Sequence, residues 1–150
     1  MISLINSTMI YLPINQVFDF VSRHENDFQW QYGTLATASL SDGFSDMGTL
    51  FRSIGHLMGR RNLSTFEVTE YEPNKRYGFK SRSGPFELQT RYVFEMKDRC
   101  TQIDISTQIK VIDFFRVDEG VLEIRLKKQL KENLARLKDV LEVKNVQFVT

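Results

Sequence analysis

Chemistry in this chain has to come from a few polar side chains set among apolar ones. Glu119, Glu123 and Asn133 fall within or beside the stripe Leu122, Leu126, Leu130, Leu134, Leu137 and Leu141. The stripe's spacings of four and three mark one face of a helix. A carboxylate buried there is costly unless it is paired or protonated. Facing inward, Glu123 would anchor a ligand or act as a general acid or base with a raised pKa. The competing reading has the first turns overhang the sheet, with both glutamates solvated near the positive end of the helix dipole and Glu123 four residues before Lys127. That reading weighs more, because structural ion pairs often mimic active sites. Asn133 is expected to hydrogen-bond to backbone or to buried water.

Arg52 and His56 form a second set, on the same side of a strand as Leu50 and Ile54. If that side is the inner one, they bring a cation and a titratable imidazole into the interior. The opposite register exposes both and turns Phe51 inward, and a one-residue slip reverses every assignment. Tyr77, Phe79, Tyr92 and Phe94 form a third set, able to line a sheet face, with phenol groups that need partners when buried; Phe94 is the first candidate for plain core. His24 and His56, the only histidines, lie in different elements without the spacing of a metal site, so no metal is expected. No Gly-rich phosphate loop and no GxSxG elbow is present, and no cofactor is expected. The single Cys100 excludes an intramolecular disulfide and a cysteine zinc cluster.

Length and composition say what must hold these side chains. With 150 residues, 41% hydrophobic and 26% charged, the chain fits one soluble domain spanning residues 1–150. A formal net charge of +1 gives no electrostatic footprint for nucleic acid. The N-terminus lacks the pattern of a signal peptide, and no apolar run reaches the roughly 18 residues of a membrane span, so a cytoplasmic protein is expected. Residues 2–12 read as a strand ended by Pro13, followed by a short helix through Val17, Phe18, Phe20 and Val21. His24 to Trp30 reads as a second helical turn or an irregular connector. Strand runs follow at 34–40, 49–56, 62–71, 76–81, 86–96 and 103–111, with turns at Ser41-Asp42-Gly43, Pro73-Asn74 and Ser83-Gly84-Pro85. The last two runs alternate most cleanly. A helix from about Asp118 to Glu142 would be roughly 36 Å long. Short connections imply antiparallel pairing, and a long antiparallel sheet coils as it twists. Such a sheet wraps around the helix in an α+β layer and leaves a space between them.

The runs Gly48-Thr49-Leu50-Phe51-Arg52, Gly59-Arg60-Arg61, Val68-Thr69-Glu70-Tyr71-Glu72-Pro73-Asn74-Lys75-Arg76-Tyr77, Ser83-Gly84-Pro85 and Leu137-Lys138-Asp139-Val140-Leu141-Glu142 carry a resemblance. With the opening Ile10-Tyr11-Leu12-Pro13 and Val17-Phe18, they resemble the polyketide cyclase/dehydrase branch of the START/Bet v 1-like (SRPBCC) superfamily. The resemblance implies a helix-grip fold: a seven-stranded curved antiparallel sheet wrapped around a long C-terminal helix, with one or two short helices after the first strand. It also implies an apolar cavity between sheet and helix, whose mouth the family places near Trp30 and Tyr32. Members bind lipids, sterols, quinones, polyketides or plant hormones, and some catalyse cyclisation or aromatic-ring chemistry; fold membership does not choose among these. The expected function is binding of a small hydrophobic or amphipathic ligand of lipid, polyketide, quinone or aromatic type. Expected contacts are Trp30, Tyr32, Arg52, His56, Tyr77, Phe79, Tyr92 and Glu123, with Leu126 and Leu130 from the helix. One alternative is a polyketide cyclase or dehydratase-type enzyme in which Glu123, Arg52, His56 or a buried tyrosine moves the proton. Another is a protein-interaction module or homodimer.

Overall fold

Strict alternation of apolar and polar residues builds the centre of the molecule. The computed structural model describes residues 1–40, 46–112 and 118–149, with side chains through Val143. In it β6 (Phe86–Lys97) pairs with β7 (Cys100–Val111) over their whole length, from Phe86 opposite Val111 to Lys97 opposite Cys100. Thr90, Tyr92 and Phe94 of β6, with Ile103, Ile105, Thr107 and Ile109 of β7, are buried on one face, as a period of two requires. β1 (Ile2–Ile10) adds to the free side of β7 and buries Ile2, Leu4 and Ile10 on that face. On the other side follow β5 (Arg76–Ser83), β4 (Arg60–Glu72), β3 (Leu50–Leu57) and β2 (Thr34–Ser39). The order is β1-β7-β6-β5-β4-β3-β2, with every pairing antiparallel. The expected seven-stranded sheet of the helix-grip fold is therefore observed.

Local chemistry sets where the strands stop and bend. β3 and β4 run up to a two-residue turn, Met58-Gly59, whose φ angles are 51° and 80°. Positive φ at both positions matches the twist of the flanking strands, so β4 begins at Arg60 rather than at Asn62. Register shifts in the β4–β5 pair, between Thr65 and Phe66 and between Val68 and Glu70, are bulges; bulges bend a strand and sharpen its twist. The Ser41-Asp42-Gly43 turn lies outside the described residues.

Between β1 and β2 the chain crosses one end of the sheet. Pro13 starts α1 (Ile14–Ser22), which buries Val17, Phe18 and Val21. One 3₁₀ turn (His24–Asn26) then leads into the single-turn α2 (Asp27–Trp30). The last element, α3, spans Glu119–Val149 and continues past the expected end at Glu142. Asp118 caps it, its carboxylate accepting the Val121 N–H at 3.1 Å. Leu122, Leu134, Leu137 and Leu141 are buried, whereas Leu126 and Leu130 are half-buried. The inward reading of the two glutamates is corrected here. Glu119 meets the Met1 amino group at 2.9 Å, and Glu123 faces Lys127 at 4.0 Å on the surface. Leu122 between them is buried against the sheet, while the Glu119 and Glu123 side chains are 57% and 37% exposed, so both carboxylates keep their water.

The core falls into two packed clusters. One joins α1, Trp30 and the β4–β7 face to Leu134, Leu137 and Leu141. The other gathers Ile2, Leu4, Ile109 and Leu122, with Leu126 half-buried against it. Leu88 and Leu130 pack against both. Among the described residues no helix is long and apolar enough to cross a membrane.

Candidate functional site

The space between the clusters is a cavity of about 230 Å³, roofed by α3 and floored by the sheet. Leu126, Gln129, Leu130 and Asn133 reach it from α3; Asp27, Trp30 and Gln31 close one end. Phe51, Phe66, Phe79, Tyr92 and Ile105 supply most of the floor, with the Thr90–Thr107 hydroxyl pair (3.0 Å) among them. The stripe of α3 thus packs at both ends and lines a hollow in the middle.

The crossing segment is tied down over this hollow. The Tyr32 N–H donates to Asn133 Oδ1 at 3.0 Å, and Arg136 Nε donates to the Gln29 carbonyl at 3.0 Å. Asn133 therefore has the backbone partner that its place on the stripe called for. A Cβ built on Gly33 would stand 2.5 Å from Gln129 Nε2. Absence of a side chain lets that part of the chain approach α3 closely.

Beneath it lies the most unusual polar constellation of the molecule. His24 and Asp27 are both buried, and Nδ1 of His24 lies 2.8 Å from Asp27 Oδ2. Nε2 of His24 is hydrogen-bonded to the Tyr77 hydroxyl. The imidazole is stacked on Phe51, with ring centroids 3.6 Å apart and planes within 13°, and meets Phe79 edge-on at 5.2 Å. Burial pushes the Asp27 carboxyl above its ordinary value, with the His24 ring opposing that shift. Burial, reinforced by the negative charge of Asp27, raises the Tyr77 and Tyr92 phenols, which keep their protons at neutral pH. In the tautomer with Nδ1 protonated, the Tyr77 O–H donates to His24 Nε2 and His24 Nδ1–H donates to Asp27 Oδ2. The chain of groups ends at Asp27 Oδ1, which, like Trp30 Nε1, has no hydrogen-bond partner among the described residues.

The expected contact residues divide accordingly. Trp30, Phe79, Tyr92, Leu126 and Leu130 border the cavity. Tyr77 does not; it is wholly buried behind the cavity wall as the partner of His24. Arg52 is corrected: β3 turns Phe51, Ser53 and Gly55 inward, leaving Arg52 exposed on the outer face. Phe51 stacks on Phe66 at 5.2 Å and meets Phe79 at 5.4 Å, and burying an aromatic ring rather than a guanidinium fixes the register. His56 follows Arg52 outward, with an exposed side chain at the rim, where it borders both the cavity and a surface hollow toward α3. Tyr32 lines only that outer hollow, is 58% exposed, and has the Arg136 guanidinium 6.0 Å from its ring centre. Glu123 is absent from the lining, for the reason given above. His24 and Asp27 were missed. The signal was their i,i+3 spacing between buried Val21 and Trp30, which sets both side chains on one side of a helical turn.

A family model described as "Polyketide cyclase / dehydrase and lipid transport" matches residues 1–142. Among curated proteins none matches the sequence. Solved structures share the fold at low identity. A START superfamily protein from Mycobacterium smegmatis is 13% identical, with a TM-score of 0.79 over 93% of this chain and 97% of that one. A protein from Thermus thermophilus is 17% identical, with a TM-score of 0.76 over 99% of each chain. The di-domain ARO/CYC BexL from the BE-7585A biosynthetic pathway is 16% identical, with a TM-score of 0.72 over 95% of this chain and 47% of that one.

Proposed function

This chain belongs to the polyketide cyclase/dehydrase and lipid transport family, and from that premise we propose that it binds a compact hydrophobic or amphipathic molecule between the sheet and α3. The observation that carries the reading is the cavity between two packed core clusters. Interiors are normally filled to crystal-like density, so a hollow of about 230 Å³ is a departure that needs a use. Its size favours a small ring system over an extended acyl chain. An apolar cavity of about 150 Å³ takes up benzene, so by proportion this one accommodates roughly nine non-hydrogen atoms. Trp30, Phe79, Tyr92, Leu126 and Leu130 are the proposed contacts. Native mass spectrometry of gently purified protein should detect a co-purifying small molecule, and compact aromatics should raise the melting temperature. A crystal structure with the cavity filled by repacked side chains, and no melting shift with any compact aromatic, would sink the proposal.

A second reading is an enzyme of the cyclase or dehydratase type, favoured by the Tyr77–His24–Asp27 chain. A carboxyl in an apolar wall, with a raised pKa and a free oxygen, suits general acid–base chemistry. Asp27 takes the role considered for Glu123 and Arg52, which face outward, and for His56, whose side chain is exposed at the rim. Enolisation of a bound ketone, followed by deuterium exchange and abolished in Asp27→Asn, is the expected signature; exchange unaffected by that substitution would remove Asp27 from the reaction.

A further inference from the structure

The two unpartnered buried polar atoms among the described residues, Asp27 Oδ1 and Trp30 Nε1, both belong to side chains that line the cavity. Their residues are 5% and 3% exposed, so bulk solvent does not reach them. Three positions apart on α2, they share one helical face. The two atoms need opposite things. The indole N–H only donates. In the tautomer with His24 Nδ1 protonated, Asp27 Oδ2 accepts from His24, so Oδ1 of the ionised carboxylate is left as an acceptor. Of the other polar groups in the wall, Thr90 and Thr107 are spent on each other and Asn133 Oδ1 on the Tyr32 N–H. His24 in turn is held by Tyr77 and by the face of Phe51, which keeps the Asp27 carboxyl from swinging away to find another partner.

A hydroxyl is donor and acceptor at once and completes both atoms. A methyl group completes neither, an ether completes Trp30 alone, and a carboxylate would set a second anion against Asp27. Resting on the reading that the cavity takes a compact ligand, we propose that this ligand is a neutral, hydroxyl-bearing ring compound, a phenol or cyclic alcohol, whose hydroxyl donates to Asp27 Oδ1 and accepts from Trp30 Nε1. Asp27 and Trp30 are then the specificity-determining contacts, with His24 and Tyr77 positioning Asp27.

Trp30 is the only tryptophan in the chain, so its emission reports occupancy of the cavity directly. The probes are 4-ethylphenol, 4-ethyltoluene (a methyl in place of the hydroxyl) and 4-ethylanisole, titrated by calorimetry and followed by Trp30 emission. A purely apolar pocket would rank 4-ethyltoluene first, because entering it strips the phenol of its water. The expected order is the reverse, with 4-ethylphenol ahead by about tenfold or more, since a site built to hydrogen-bond a hydroxyl rejects the analogue lacking it. In Asp27→Asn the amide oxygen keeps His24 and the NH₂ faces the cavity, so the preference for phenol over anisole should collapse. Trp30→Phe, followed by calorimetry, should lower phenol affinity more than toluene affinity, and it carries the same test if Asp27→Asn does not fold. Equal affinities for 4-ethylphenol and 4-ethyltoluene would overturn the hydroxyl proposal and leave ligand binding standing. If none of the three probes gives heat or moves Trp30 emission in protein with a native circular dichroism spectrum, the cavity reading itself falls.

Discussion

Asp27 is the residue on which the site's chemistry turns, because burial and the His24 bond pull its carboxyl in opposite directions. Burial is the larger influence, so the folded pKa lies above the ordinary value of 3.8. Between those two values the native state holds a proton that the unfolded chain has released. Stability therefore falls as pH rises through that window and is greatest below it. Nearby Glu25 raises the same carboxyl and remains in the variant, so comparison with Asp27→Asn isolates Asp27. Urea unfolding from pH 4 to pH 8 should give a flatter stability curve for Asp27→Asn than for wild type, with the variant gaining relative stability toward higher pH. Parallel curves throughout would mean that the carboxyl is not raised. Little of this could be read from sequence. Leucines and aromatics announce burial by type and period, whereas a His-x-x-Asp pair announces itself only once the connector carrying it is known to cross above a cavity. Arg52 and His56 attracted attention for their chemistry, but Phe51 between them had more to gain from the interior.

At the scale of the element, α3 uses one leucine stripe for two purposes. Leu137 is fully buried within a packed cluster, while Leu126 is half-buried beside the hollow. The same Leu→Ala change should therefore cost different amounts. Leu137→Ala is expected to destabilise by about 2–5 kcal/mol through lost burial and a new void. Leu126→Ala removes atoms that already border a void and should cost less than that range, while enlarging the cavity for bulkier ligands. Equal losses in denaturant unfolding would show that Leu126 belongs to the packed core. The helix, its stripe and strands β6 and β7 were legible because a strong period of 3.6 or 2 is imposed wherever one face is buried. β3 was not, since apolar and polar residues occupy both of its sides. Only its neighbours, with Phe66 of β4 lying opposite Phe51, decide which side turns in.

For the whole molecule, the cavity is a stability cost that the proposed ligand would offset. The two core clusters pack separately, and Leu88 and Leu130 bridge them along the hollow's walls. Filling the gap should join them. Leu126→Phe adds volume on the cavity side of α3 and is expected to stabilise the ligand-free protein by about 0.5–2 kcal/mol, the usual range for cavity filling. The same substitution should weaken binding of 4-ethylphenol, and the melting shift that this ligand gives the wild type should shrink with it. Stabilisation without loss of binding would place the ligand elsewhere on the fold. Loss of both stability and binding would mean that the cavity walls are too rigid to accept a larger ring. The expected pairing, a gain in stability with a loss of binding, follows if the proposed ligand occupies the hollow that Asp27 and Trp30 line.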